Sequence, residues 1–182
     1  MALPTAEKVS SGDRALRLVA EQARVQAGCL AAGITVVEQG APVLVVGTSL
    51  LGRQLEQVQW DLGQGPGLEA MRQLQVFNVA CLATARSWPD FIATALGRGV
   101  RSMLSVPVIL RGRALGALDF YSDHPGAFED AERVTLHFAG EVAAALSAVE
   151  PWAGSAHADR ARPTPARTAA GREGKERTLA VS

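Results

Sequence analysis

Two polar residues stand out because each interrupts an apolar run of the chain. Ser105 lies within the run 103–110, and Asp119 lies within the run 114–121. A hydroxyl or carboxylate enclosed by apolar side chains needs a hydrogen-bond partner, since burying it unpaired costs free energy. Groups of this kind can also orient a small polar molecule in a pocket. Ser105 and Asp119 are therefore the first candidates for a binding site.

A β-hairpin over Arg101–Tyr121 is predicted to place these two residues side by side. Its apolar runs are joined by Arg111-Gly112-Arg113, read as a three-residue loop in which glycine takes a left-handed conformation. This register pairs Ser105 with Asp119. The neighbouring pairs are Met103 with Tyr121, Leu104 with Phe120, and Val106 with Leu118. Because side chains alternate between faces, the hairpin has one apolar face and one partly polar face.

Helices and further strands are predicted around this hairpin. Apolar residues at three- and four-residue steps predict one helix after Ser10 and another after Phe128, and these terminal helices would cover the apolar face. The remaining predicted elements are a second hairpin turning at Glu38–Ala41, helical segments at about 50–60 and 66–73, a short strand at 76–79 and a helix from Ser87. This order predicts an α+β domain with an antiparallel sheet.

The polar face of the hairpin is predicted to form a small-molecule pocket, since ligand sites combine apolar walls with a few polar groups. Arg101 is the expected partner of a buried Asp119, with a surface pair at the strand end as the alternative. The aromatic residues would line the pocket or serve only as core. The predicted ligand-binding residues are Trp60, Trp88, Phe91, Arg101, Ser105, Asp119 and Tyr121. No catalytic and no metal-binding residue is predicted, and the cofactor is unknown.

The glycine-rich stretch 63–67 is not predicted to bind phosphate. It lacks the Gly-Lys-Ser/Thr ending of a phosphate-binding loop, and Pro66 removes a backbone N–H that an anion would use. A turn followed by a short helix with proline in its first turn is the prediction instead.

Charge and composition narrow the classes of partner. The formal net charge is zero, which predicts neither a nucleic-acid nor a membrane partner. No apolar stretch approaches the roughly 18 residues of a membrane span, and residues 1–5 lack the basic start of a signal peptide. The two cysteines, Cys29 and Cys81, make no disulfide framework. A cytoplasmic location is predicted.

The chain is predicted to contain one folded domain between two extensions. Residues 1–11 are read as a flexible leader and residues 12–149 as the domain. Residues 150–182 hold few large apolar side chains and an excess of arginine. They are therefore predicted to be a disordered, mildly basic tail.

Five motifs, in order along the chain, resemble the GAF domain family, above all the stand-alone or antiterminator-linked GAF proteins of actinobacteria. They are Gln59-Trp-Asp-Leu-Gly-Gln-Gly-Pro-Gly67, Arg86-Ser-Trp-Pro-Asp-Phe91, Gly99-Val-Arg-Ser-Met-Leu-Ser-Val-Pro107, Gly116-Ala-Leu-Asp-Phe-Tyr-Ser122 and Pro125-Gly-Ala-Phe128. The resemblance implies a GAF fold: a central antiparallel sheet of about six strands, terminal helices on one face and a small-molecule pocket on the other. It also implies a signalling role and a homodimer formed through the terminal helices, or a signalling-protein partner.

Three departures limit what the resemblance implies. The tail does not look like the three-helix ANTAR domain that commonly follows these GAF domains. The Asn-Lys-Phe-Asp-Glu motif of cyclic-nucleotide-binding members is absent. Position 67, often Cys in these relatives, is Gly67 here.

The function predicted from the sequence is a non-catalytic sensory or regulatory domain that binds an unidentified small molecule. An interaction-only scaffold, its pocket filled by its own side chains, is the alternative. A thiol enzyme similar to the free methionine sulfoxide reductases is a third hypothesis, although their chemistry uses three cysteines and this chain has two. Cys81 could carry a bilin or act as a redox thiol; as a buried small apolar residue it would do neither.

Overall fold

A five-stranded antiparallel sheet forms the centre of the molecule in a computed structural model that describes residues 11–148. The strands are β1 (Ala31–Glu38), β2 (Ala41–Gly47), β3 (Phe77–Val79), β4 (Ser102–Leu110) and β5 (Arg113–Ser122), in the order β2-β1-β5-β4-β3. The helices are α1 (Ser11–Ala27), α2 (Leu50–Leu62), α3 (Pro66–Gln73), α4 (Pro89–Gly97) and α5 (Glu132–Ser147), with a 3-10 turn at Leu82–Thr84. The predicted α+β fold is confirmed, with five strands in the described chain rather than about six.

The sheet separates two apolar clusters. Residues on one face of β1, β4 and β5, among them Ile34, Leu104 and Phe120, pack against α1 and α5. On the opposite face a second cluster joins Met103 and Tyr121 to Leu55 of α2 and to residues of α4. The prediction that the terminal helices cover the apolar face of the hairpin is therefore confirmed.

Both hairpins turn through two residues with positive φ, as type I′ turns require. Gln39 and Gly40 join β1 to β2, and Arg111 and Gly112 join β4 to β5. The predicted three-residue loop at 111–113 is wrong, because Arg113 already belongs to β5 and pairs with Leu110.

The predicted register nevertheless holds over the rest of this hairpin. Val108 pairs with Gly116 but Ile109 pairs with Ala114, so one residue of β5, Leu115, is extra. The observed turn is one residue shorter than the predicted one, and the extra residue in this β-bulge compensates for that difference. Ser105 is therefore opposite Asp119, and Met103 is opposite Tyr121, as predicted.

Residues 1–10 and 149–182 lie outside the described part of the chain. The predicted leader, apart from Ser11 at the start of α1, and the whole predicted tail therefore stay predictions. Within residues 11–148, no helix has the length and apolar character needed to cross a membrane.

Gly116 lets β1 and β5 approach closely at the bulge. A Cβ atom at this position would overlap the backbone carbonyl oxygen of Thr35. We expect Gly116→Ala to lower the free energy of unfolding by about 2 kcal/mol or more, because backbone atoms rather than a flexible side chain must move.

Gly97→Ala is the matched control for this substitution. A Cβ at Gly97, the last residue of α4, meets nothing within 4 Å, so this variant should lose no stability and can gain up to about 1 kcal/mol from the higher helix propensity of alanine. Urea denaturation of both variants measures the difference. Equal stability of the two variants would contradict the close approach at Gly116.

Candidate functional site

Asp119 lies at the centre of the sheet and is fully buried. Its strand, β5, runs between β1 and β4, where Gly33 and Ser105 are its register partners. The side chains of α2 and the backbone of α3 cover this position, on the face opposite the terminal helices. The polar face predicted from the hairpin therefore exists, and it is closed to solvent.

Helix α2 supplies two buried polar side chains to this face, Glu56 and Gln59. Three residues apart on a helix, they project from the same side. The ends of the helix are fixed locally. The Ser49 hydroxyl accepts the N–H of Gly52 at the start, and Gly63 closes the end in a left-handed conformation.

Gln59 connects three elements through one amide group. Its Nε2 donates to Asp119 Oδ2 at 2.8 Å and to the Tyr121 hydroxyl at 3.3 Å. Its Oε1 accepts the backbone N–H of Gly67, in the first turn of α3, at 2.8 Å. Gln59 therefore satisfies buried groups of β5 and α3 together.

Glu56 accepts two hydrogen bonds from residues of the sheet. The Thr35 hydroxyl donates to its Oε2 and the Tyr121 hydroxyl donates to its Oε1, each at 2.7 Å. Tyr121 thus donates to Glu56 while accepting from Gln59. These bonds join β1, β5 and α2 in one buried network.

Three glycines leave the space that these polar side chains occupy. A Cβ at Gly33 would overlap the Glu56 carboxyl group, one at Gly65 would overlap the Gln59 amide, and one at Gly67 would overlap Asp119 Oδ2. Gly65 also has φ 151°, which side chains rarely tolerate. Gly65 and Gly67 of the glycine-rich turn are therefore steric requirements of the polar network. Pro66, between them, is the first residue of α3, as predicted.

Two buried polar atoms of this network are unpartnered. Asp119 Oδ1 and Ser105 Oγ have no hydrogen-bond partner among the described residues. Burial raises the pKa of Asp119 to about 6, although hydrogen bonding from its neighbours offsets part of the effect. Burial, followed by the charge of Asp119, raises the pKa of Glu56 well above its usual value. Burial also raises the pKa of Tyr121, which keeps that hydroxyl protonated as a donor.

The seven predicted ligand-binding residues do not all meet here. Ser105, Asp119 and Tyr121 are fully buried on the polar face, and Phe91 is buried in the apolar cluster beside it. Trp88 is half-buried at the edge of that cluster, Trp60 is half-buried in α2, and Arg101 is exposed.

Each of these three residues has a local structural role. Trp60 is half-buried in α2, and its carbonyl accepts the N–H of the closing Gly63. Trp88 packs edge-on against Phe77, with ring centroids 5.8 Å apart. Arg101 is exposed and donates to the carbonyl oxygen of Leu96 at the end of α4. Gln59, not Arg101, is therefore the partner of Asp119.

Glu56, Gln59 and Thr35 were not predicted as site residues. The helical spacing of Glu56 and Gln59 in α2 was visible in the sequence, but solvated helix faces carry the same residue types. Only the register of β1 beside β5, which sets Gly33 opposite Asp119, shows where α2 meets the sheet.

The two cysteines lie in different environments. Burial raises the pKa of Cys29 to about 11, whereas a hydrogen bond from the Thr84 hydroxyl lowers the pKa of Cys81. Cys29 precedes β1 and Cys81 follows β3, three strand spacings or about 14 Å across the sheet. A disulfide needs Cα atoms within about 7 Å, so these two thiols cannot bridge in this fold. Residues 11–148 contain no cluster of His, Cys, Asp or Glu that could hold a metal ion.

Gln59→Ala is expected to lower the free energy of unfolding by about 3 kcal/mol, because it leaves Asp119 Oδ2 and the Gly67 N–H buried without partners. Gln54→Ala, an exposed position on the same helix, should change it by less than about 0.5 kcal/mol. Urea denaturation followed by circular dichroism measures both variants. Similar losses would show that the network adds nothing to stability.

Comparisons with known proteins agree with this architecture. The family model described as GAF domain matches residues 10–147. No curated protein sequence matches the chain. Many solved structures do match it.

The GAF domain of a phosphoenolpyruvate-protein phosphotransferase from Acinetobacter is 16% identical, with a TM-score of 0.61 over 81% of this chain and 89% of that chain. The corresponding domain from Coxiella burnetii is 19% identical, with a TM-score of 0.58 over 80% and 89%. A type II free methionine-R-sulfoxide reductase from Thermoplasma acidophilum is 16% identical, with a TM-score of 0.55 over 75% and 93%. At these identities the structures show a shared fold. With the family match covering most of its length, the chain belongs to the GAF domain family, whose members are typically sensory or regulatory domains.

Proposed function

We propose that this GAF domain is a non-catalytic regulatory domain that acts by pairing its terminal helices with those of a second copy. The observation that carries the proposal is the exposure of large apolar side chains on these helices. Leu18 and Val25 of α1 are 59% and 61% exposed, and Leu136 of α5 is 48% exposed. Exposed apolar side chains favour association, because pairing removes them from water.

The positions of these residues suit a two-fold interface. Leu18 and Val25 are seven residues apart, or about two helical turns, and lie on one side of α1. A groove of about 470 Å³ runs between α1 and α5; besides Val25 and Phe138 it is lined by polar residues, among them Glu21, Gln22 and Glu141. In a two-fold dimer the same patch on each copy faces its counterpart, so an apolar contact made by Leu18 and Val25 would be flanked by this polar groove.

The closed polar face favours this function over a preformed ligand pocket. Glu56, Gln59 and Asp119, the groups that a ligand would contact, are at most 2% exposed and bond to one another or to their neighbours. A pocket filled by the chain's own side chains is the feature expected of an interaction domain.

A cytoplasmic location, where free cysteines such as Cys29 and Cys81 persist, is part of the proposal.

Leu18→Glu is expected to convert the dimer to a monomer, because the pairing would bury a carboxylate on each side of the two-fold axis. Multi-angle light scattering of the purified full chain, over a range of concentrations, measures the mass. Leu50→Glu is the matched control, since Leu50 is 72% exposed at the start of α2 and away from both terminal helices.

The two variants distinguish three outcomes. A wild-type dimer lost in Leu18→Glu and kept in Leu50→Glu supports the proposal. A monomeric wild-type chain overturns self-association and directs attention to a different signalling protein. A dimer that survives Leu18→Glu assigns the interface to another surface.

Small-molecule sensing is the second candidate function, and the two unpartnered atoms of the site favour it. Asp119 Oδ1 and Ser105 Oγ are buried on the face where the predicted pocket lies and have no well-aligned hydrogen-bond partner within residues 11–148. A ligand that displaced part of α2 or α3 would meet both. Its binding would then reach the terminal helices through β4 and β5, which pack against α5 on their other face.

Native and denaturing mass spectra of the purified protein test this candidate. A small molecule retained in the native spectrum, and lost in Ser105→Ala, would support sensing. Ser105→Ala removes only the hydroxyl beside Asp119, and because Ser105 Oγ makes no well-aligned hydrogen bond within the described residues, its loss should cost less than about 1.5 kcal/mol. Native spectra showing only protein mass, with no thermal shift across a metabolite panel, would remove sensing.

A further inference from the structure

The Glu56 and Asp119 carboxyl groups form a buried acidic pair that no cation neutralises. Both side chains are fully enclosed, and among the described residues no Arg or His pairs with either. The titratable groups that face the pair are these two acids, from α2 and β5, and the Tyr121 hydroxyl, also from β5. The neighbouring β1, β4 and α3 present only neutral groups, from Thr35, Ser105 and Gly67.

The two carboxyl groups are neighbours within one network. Glu56 lies against Gly33, which is the register partner of Asp119 on the adjacent strand. A short chain of hydrogen bonds also connects them, from Asp119 Oδ2 through the Gln59 amide and the Tyr121 hydroxyl to Glu56 Oε1. The charge of Asp119 accordingly raises the pKa of Glu56.

Of the four carboxyl oxygens of Glu56 and Asp119, one accepts no hydrogen bond from the described residues. Both oxygens of Glu56 and Oδ2 of Asp119 accept bonds, but Asp119 Oδ1 has none. Two ionised carboxylates cannot bond to each other, because both only accept. A bond from the Ser105 hydroxyl would satisfy Oδ1 yet leave two adjacent buried negative charges, which is costly without a cation. One proton held by the pair removes a charge and supplies a donor.

We propose that Glu56 and Asp119 together retain one proton at neutral pH, and that this proton holds α2 and α3 on the sheet. Its loss to solvent leaves two carboxylates side by side in an apolar enclosure, which favours movement of α2 away from β5. The protonated pair thus keeps the polar face covered by α2 and α3, and deprotonation favours its opening. This inference goes beyond the proposed dimer and does not depend on it.

The direction of the pH effect follows from the raised pKa values. Both acids hold protons more strongly in the folded chain than in the unfolded chain, where carboxyl groups titrate near pH 4. Their contribution to stability is therefore complete at low pH. It falls as pH rises through about 6, the folded pKa of Asp119, and falls further where the second proton is lost.

Infrared spectroscopy of the full chain at neutral pH tests whether the proton is present. We expect a carbonyl band from a protonated carboxylic acid, and its absence in Glu56→Gln, whose neutral amide stands in for the protonated acid. The exposed-residue control, Glu129→Gln, should keep the band. A wild-type spectrum without the band at neutral pH overturns the proposal, whatever the variants do.

Thermal unfolding as a function of pH tests the closure. As pH rises from about 6, the Tm of the wild type should fall relative to that of Glu56→Gln, because the folded wild-type pair holds more protons than the unfolded chain and the variant has lost one of the two acids. Glu129→Gln should follow the wild type. Parallel curves for wild type and Glu56→Gln would overturn the stabilising role of the proton. If Glu56→Gln does not fold, Asp119→Asn, which also removes one of the two charges, replaces it in both measurements.

Discussion

A carboxylate buried at the middle of a sheet has to be solvated by the protein itself, and this constraint governs one whole side of the molecule. Asp119 lies on β5 between two other strands, where water does not reach it. The Gln59 amide from α2 takes the place of water, and its other end holds the first turn of α3. The position of both helices over the sheet, and the absence of side chains at Gly33 and Gly67, follow from this requirement.

The two faces of the sheet are held by different kinds of interaction. On the side of α1 and α5 the buried contacts are mainly apolar, although the Arg17 guanidinium of α1 donates to the carbonyl oxygen of Gly47 at the end of β2. On the side of α2 the contacts include directed hydrogen bonds, which fix distances and orientations. The two faces of this GAF domain therefore differ in how tightly they fix the helices that cover them.

The sequence was sufficient to predict the hairpin and its polar face, because alternation along a strand directly assigns each residue to a face. It also predicted that Ser105 and Asp119 are opposite each other. That pairing holds although the turn has two residues instead of the predicted three, because a β-bulge in β5 adds one residue. The partner of Asp119 was not predictable. Gln59 lies 60 residues away in the chain, and only the tertiary position of α2 brings it to β5. Arg101, the more obvious choice by charge, bonds instead to the end of α4.

The glycine at position 67 has an evolutionary consequence. A side chain there is incompatible with Asp119 as it stands, so the order of mutations matters. A larger residue at 67 should therefore be better tolerated once the acid at 119 is shortened or removed, so that the effects of substitutions at the two positions are expected to be non-additive.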